Sequence, residues 1–349
     1  MSVRAAAALA AAMGIGRFVY TPILPLMTAQ AGLSAASAAS LATANYLGYF
    51  AGALVTIVRA PSRTTNRVAL VLLVATLAGM PLTHGMAAWF VLRLVAGVAS
   101  ALVFVAAVNA QPGWGMSGVG AGIALSGLIV LVHAQWEFAW WVAAALCAVL
   151  SLGAWNLRPE PPRPPVTGAR QRGFGALFTS YTLEGVGYII AGTFLVAAIS
   201  GPLGSSAWIL AGLSAILSPV LIKPRRYALP IALAVQAAGI ALPVLVDGTA
   251  LIAVVLFGGT FIGIAATSLR LGTELGFPQA AAILTAGYSA GQIIGPLVAT
   301  PLLHNGYDQA LLLAAAIVLL AAITAPAPPS RHRAAARTPR RRTPAAPAE

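Results

Sequence analysis

The sequence predicts an all-α polytopic membrane protein, with twelve transmembrane helices in two six-helix halves of similar length. Three observations carry that prediction. Of 349 residues, 59% are hydrophobic and 8% are charged, whereas a soluble domain carries about 25% charged residues. The mean hydropathy of +0.89 calls for a solvent that is mostly lipid. Lys and Arg gather in alternate breaks between the apolar runs, as they do in cytoplasmic loops.

Apolar runs and polar breaks set the helix limits at 5–29, 34–58, 67–83, 86–110, 118–134, 136–157, 175–198, 205–222, 228–246, 249–271, 279–303 and 308–325. At roughly 20 residues per span, twelve spans take about 240 residues and leave no room for a separate soluble domain. With the N-terminus inside, the inner segments hold Arg4, then Arg59, Arg63 and Arg67, then Arg158, Arg163, Arg170 and Arg172, then Lys223, Arg225 and Arg226. Arg270 lies at an inner helix end, and Arg331, Arg333, Arg337, Arg340, Arg341 and Arg342 lie in the tail. The outer loops hold His84, His133, Asp247, His304 and Asp308 but no Lys or Arg. This asymmetry predicts an even number of spans, both termini cytoplasmic, in an inner or plasma membrane.

The net charge of +13 is thus a topology signal rather than a nucleic-acid signal. Trp89, Trp136, Trp140, Trp141 and Trp208 fall near outer helix ends, and Trp114 and Trp155 near inner ones. They are expected to form interfacial belts. The Ala-rich start after Arg4 resembles a secretory signal, but its removal would upset the charge parity, so it is read as an uncleaved first helix. The Pro- and Arg-rich stretch 159–174 is the expected cytoplasmic linker between the halves 1–158 and 175–326. Residues 327–349 read as a disordered basic cytoplasmic tail. Cys147 stands alone in an apolar stretch, and no Cys/His cluster with zinc spacing exists.

Four stretches carry a resemblance to a known family. They are Gly14-Ile15-Gly16-Arg17-Phe18-Val19-Tyr20-Thr21-Pro22 with Leu24-Pro25-Leu26-Met27, Ala44-Asn45-Tyr46-Leu47-Gly48-Tyr49, Leu183-Glu184-Gly185-Val186-Gly187-Tyr188 and Gly291-Gln292-Ile293-Ile294-Gly295-Pro296. The chain resembles the YbfB/YjiJ-type transporters of the major facilitator superfamily. That resemblance implies a twelve-helix transporter alternating between inward and outward openings, without implying a substrate. Arg93 followed by Gly97 resembles the superfamily's fourth-helix pattern. The 59–67 loop supplies arginines but not the family's Asp, and the fifth helix lacks the Gly-Pro pair of antiporter members.

Ionisable residues within spans default to functional candidates. Arg17, Arg93 and Glu184 all lie deep in their helices. Functionally, the arginines meet an anionic group and Glu184 carries a proton. Structurally, each pairs instead with a backbone carbonyl, another helix or one another. Tyr20, Asn45, Tyr46, Tyr49 and Tyr188 can line the same cavity or serve as interhelical contacts, and Gln236 and Gln292 are further candidates. Arg270 and Glu274, at i,i+4 near a helix end, read as a solvated pair. Gly48/Gly52 and Gly287/Gly291/Gly295 form small faces, either a sliding surface between the halves or tight packing within one half.

The expected function is secondary active transport, by alternating access and coupled to protons, of an unidentified small molecule, with an anionic one preferred. No Walker loop, cofactor or metal is called for. The partners are the substrate, protons and the bilayer, with no nucleic acid, and the chain is expected to act as a monomer. A polytopic membrane enzyme is disfavoured because Asp247 and Asp308 are isolated and no carboxylate cluster can hold a metal diphosphate. A non-transporting receptor on the same fold is the other alternative.

Overall fold

The computed structural model describes residues 2–110, 113–132, 134–160, 173–197, 202–223, 225 and 227–326. Most of the expected linker, the whole tail, His133, Arg163, Arg170, Arg172 and Arg226 lie outside the described residues. Every regular element within them is helical. The first expected helix is α1 (Ser2–Leu9), a π-helical stretch (Ala10–Ile15), a turn at 16–19 and α2 (Tyr20–Gln30). The chain continues through α3 (Ala35–Val58), α4 (Arg63–Leu82), α5 (Met86–Ala110), a 3₁₀ turn (Trp114–Met116) with α6 (Ser117–Val132), and α7 (Trp136–Ala154). After the linker come α8 (Phe174–Ala197), α9 (Pro202–Leu221), α10 (Ala228–Leu245), α11 (Ala250–Glu274), α12 (Ala280–Ala299) and α13 (Asp308–Thr324). Among the described residues, nine helices are long and apolar enough to cross a bilayer. This supports a multi-pass protein but not a count of twelve.

Local chemistry sets the helix starts. Ser34 Oγ accepts from Ser37 N–H and Ser62 Oγ from Thr65 N–H, each at 3.1 Å. Each serine thereby satisfies a first-turn donor that the helix itself cannot. The Ser62 cap begins α4 four residues before the expected limit. Arg270 Nε donates to Glu274 Oε1 at 2.8 Å, and both side chains are about half exposed, the solvated pair expected at that spacing.

The surface inverts the pattern of a soluble protein. Val58, Leu152, Leu297 and Ile323 are among the most exposed side chains, whereas Arg17, Asn45, Arg93, Glu184, Gln236 and Gln292 are buried. Lipid accepts the former and cannot solvate the latter. The helices pack as two groups, α1–α7 and α8–α13, which meet along α6–α9 and α3–α12.

One pair of alternatives is decided and one expectation needs correction. The glycine faces of α3 and α12 do not form a surface between the groups. A Cβ on Gly48 would sit 1.9 Å from the Leu94 carbonyl oxygen of α5, and one on Gly291 would sit 2.4 Å from the Thr182 carbonyl oxygen of α8. These glycines let backbones touch inside each group. Contact between the groups uses Gly120 of α6, against Ile216 N, and Gly212 of α9, against Ala124 N. The tryptophan belts also fail as a general reading, because Trp89, Trp136, Trp140 and Trp208 are buried. Two of these find internal acceptors. Trp89 donates to the Met80 and Thr83 carbonyls at 3.0 and 2.9 Å, and Trp208 to Ser126 Oγ at 3.0 Å.

The α3–α5 contact gives a direct test. Gly48→Ala forces two backbones apart and should cost roughly 1–3 kcal/mol, as overpacking does, read as a lowered melting temperature in detergent. Gly259→Ala, whose Cβ meets nothing within 4 Å, should melt close to the parent. Equal melting of the two variants would contradict the packing described.

Candidate functional site

The site begins with the break in the first helix. Gly16 N–H bonds the Ala11 carbonyl at 2.7 Å and Phe18 N–H the Met13 carbonyl at 3.0 Å, so the ladder widens to i→i−5, a π-bulge. Pro22 has no N–H with which to continue the ladder to Phe18, and Thr21 N–H bonds that carbonyl instead, at 3.1 Å. Gly14 lies so close to Gly122 of α6 that a Cβ would come within 2.3 Å of its Cα. Glycine and proline thus hold a bend where an uninterrupted helix was expected.

A bend inside a bilayer frees carbonyls that must find donors. Ser100 Oγ donates to the Ala12 carbonyl at 2.9 Å. Arg93 donates through Nη1 to the Gly16 carbonyl at 3.3 Å and through Nη2 to the Arg17 carbonyl at 3.1 Å. Its guanidinium lies 4.9 Å from the Tyr20 ring centroid. Asn45 Nδ2 donates to the Arg93 carbonyl at 3.1 Å, and Tyr20 Oη donates to the Ala38 carbonyl at 3.0 Å. Arg93, Asn45 and Tyr20 are therefore committed to holding α2, α3 and α5 around the bend.

Arg17, within the bend, is differently placed. It is 2% exposed and donates through Nη2 to Gln292 Oε1 of α12. Its guanidinium lies 4.0 Å from the Tyr49 ring centroid and 5.4 Å from that of Tyr46. Nε and Nη1 have no hydrogen-bond partner. Glu184 of α8 is fully buried. Its Oε1 accepts from Gln236 Nε2 at 3.4 Å, and its Oε2 has no partner. The two ion pairs among the described residues, His84–Glu137 and Arg270–Glu274, lie elsewhere. Neither arginine neutralises Glu184.

A small cavity of about 30 Å³ is lined by residues of both groups of helices. Of the sequence candidates, Tyr49, Tyr188 and Gln292 line it, whereas Arg17, Tyr20, Asn45, Arg93 and Glu184 do not. Sequence reasoning missed Tyr181, Tyr288 and Phe261 in its wall. Tyr181 stacks on Tyr288 at 4.6 Å and Tyr188 on Phe261 at 5.0 Å. A usable signal existed, because Tyr181, Glu184 and Tyr188 are spaced i, i+3, i+7, and Tyr288 precedes Gln292 by four, so each set shares a helix face.

Comparisons with known proteins agree with this architecture. The family model described as "Uncharacterised MFS-type transporter YbfB" matches residues 9–325. No curated protein matches the chain. The crystal structure of the human organic anion transporter MFSD10 (TETRAN) aligns with a TM-score of 0.71 at 14% identity, covering 93% of this chain and 99% of that one. At that identity the likeness carries the fold alone.

The two arginines should respond oppositely to substitution. Arg93→Lys keeps the charge but loses the fork that reaches two carbonyls. It should cost roughly 1–3 kcal/mol, the scale of a hydrogen bond to a charged group, and lower the melting temperature in detergent. Arg17→Gln removes a buried charge with two unpartnered nitrogens and should melt at or above the parent. A comparable loss in both variants would make Arg17 a structural brace as well.

Proposed function

The chain belongs to the family of MFS-type transporters described as YbfB, and from that premise we propose that it is a proton-coupled secondary transporter of a small molecule bearing an anionic group. In this reading twelve spans form two six-helix halves, 1–158 and 175–326. The linker 159–174 and both termini face the cytoplasm of an inner or plasma membrane. One chain suffices, and its two halves rock about a central site.

One observation carries the proposal: Arg17 and Glu184 are both buried, on opposite groups of helices, and neither has a counter-ion among the described residues. Charges in that state are costly and are retained at functional positions. Arg17, with free N–H donors beside Tyr49 and Gln292, suits a carboxylate or phosphate, which guanidinium binds well. Glu184 suits a proton, since its charge changes while the amide of Gln236 holds it in place. Arg93, Asn45 and Tyr20 act as positioning residues for Arg17, and Tyr188 belongs to the cavity wall. One fold neighbour is an organic anion transporter, in keeping with the anionic reading. Ligand binding shifts the balance between the two openings only as far as it favours one of them.

Two measurements test this reading. Reporter fusions after Arg172, Arg226 and Glu349 should all behave as internal, and an external signal at Arg172 would overturn the two-by-six arrangement. In proteoliposomes loaded with a pH-sensitive dye, adding a transported carboxylate should move protons with the parent. Glu184→Gln should abolish the dye response while keeping the carboxylate's thermal stabilisation of the purified protein. An undiminished proton signal in that variant would remove Glu184 from coupling.

A further inference from the structure

Aromatic residues make up 7% of the chain, yet seven of the fourteen residues lining the central cavity are aromatic. Packing alone needs no such concentration, since the rest of the buried core is built mainly of Ala, Leu, Ile and Val. Four of these rings form a continuous wall. Tyr181 stacks on Tyr288 at 4.6 Å, Tyr288 lies 5.8 Å from Tyr188 at a tilt of 37°, and Tyr188 stacks on Phe261 at 5.0 Å and 26°. Gln292, which lines the same cavity, accepts the hydrogen bond from Arg17. It stands one helical turn beyond Tyr288, so the two side chains leave α12 roughly 6 Å apart along its axis.

From this juxtaposition we infer that the transported molecule is an aromatic carboxylate, its carboxylate on Arg17 and its ring against the wall of Tyr188, Tyr288 and Phe261. The inference rests on the transporter reading above and narrows its substrate. A guanidinium with two unpartnered nitrogens beside flat apolar faces selects for charge at one end and a planar π-surface at the other. An aliphatic acid satisfies only the first requirement and an aromatic amine only the second. The wall rings now stack on one another. A flat ligand entering between them exchanges ring–ring contact for ring–ligand contact of the same kind, so the walls part without losing their stacking. A single ring carrying its carboxylate one carbon away presents both groups with one tetrahedral carbon between them.

The test uses the full chain, purified in detergent, with four probes: phenylacetate, cyclohexylacetate, acetate and phenethylamine. Binding is read by calorimetry and by thermal stabilisation. Phenylacetate should bind about tenfold more tightly than cyclohexylacetate, the upper range for stacking beyond area burial, and acetate and phenethylamine should bind more weakly still. Tyr188→Leu should bring the phenylacetate to cyclohexylacetate ratio close to one. Arg17→Gln should weaken both carboxylates by a similar factor and preserve their ratio. Equal binding of the two ring acids by the parent overturns the aromatic inference and leaves the anion reading standing. Phenethylamine binding as tightly as phenylacetate overturns both. If no probe binds to protein that still melts cooperatively, the aromatic inference falls, while the proton-coupling test of Glu184 judges the transporter reading separately.

Discussion

A helix that bends inside a bilayer exposes carbonyls to a solvent with no donors, and most of the central architecture here can be traced to how that need is met. The π-bulge and turn at 10–19 release the carbonyls of Ala12, Gly16 and Arg17. Ser100 and Arg93, two residues of α5 seven positions apart, satisfy them. For α5 to reach the bend, it must lie close to α3, and that approach is what requires Gly48 and Gly97 to lack side chains. Asn45 then closes the arrangement by donating to the backbone of Arg93 itself. The result is a rigid bracket whose one unspent cation, Arg17, faces the other group of helices.

That arrangement separates two tasks that the sequence presents as one. Arg17 and Arg93 look alike on paper, each an arginine deep within an apolar run. Burial with both Nη groups on backbone carbonyls makes Arg93 a fixed part of the scaffold. Burial with Nε and Nη1 unpartnered leaves Arg17 able to accept a ligand without dismantling a network. Glu184 likewise forms no ion pair among the described residues and has Gln236 Nε2 3.4 Å from its Oε1.

Much of this was legible in the sequence, for identifiable reasons. Each expected range falls on a helical stretch with ends shifted by up to four residues, because polar breaks between apolar runs are an unambiguous signal in a lipid-soluble chain. The shifts follow from caps such as Ser62, whose hydroxyl starts α4 before the apolar run does. The bend at 10–19 was less visible, since Gly14, Gly16 and Pro22 are all tolerated in straight membrane helices. The direction of the glycine faces was not legible at all. Spacing places Gly287, Gly291 and Gly295 on one side of α12 but is silent on whether α8 or α3 lies against it. Arg17 and Glu184 stood out because charge is rare in spans, whereas the aromatic wall did not, because tyrosines at helical spacing are common in apolar cores.

The bonds between the two groups suggest how ligand and opening are linked. Within each group, buried polar contacts are numerous and aimed at backbone, as with Ser180 on the Ala321 carbonyl and Ser218 on Gly263 N–H. Between the groups, Ser117 reaches the Ile216 carbonyl and Trp208 reaches Ser126 at one contact line, and Arg17 reaches Gln292 beside the other. Under the rocking motion proposed above, parting the groups on the α3–α12 side separates Arg17 from Gln292 and leaves the guanidinium with Nη2 unpartnered as well. An open site of that kind carries three unpartnered donor nitrogens, and a carboxylate entering it replaces the amide oxygen that was lost. Reclosure then depends on whether the ligand can bridge Arg17 to the rings of α8 and α12 as Gln292 did. On that proposal, occupancy would act on the equilibrium between openings through a contact the protein already makes with itself, which is the differential affinity that a ligand-driven shift requires.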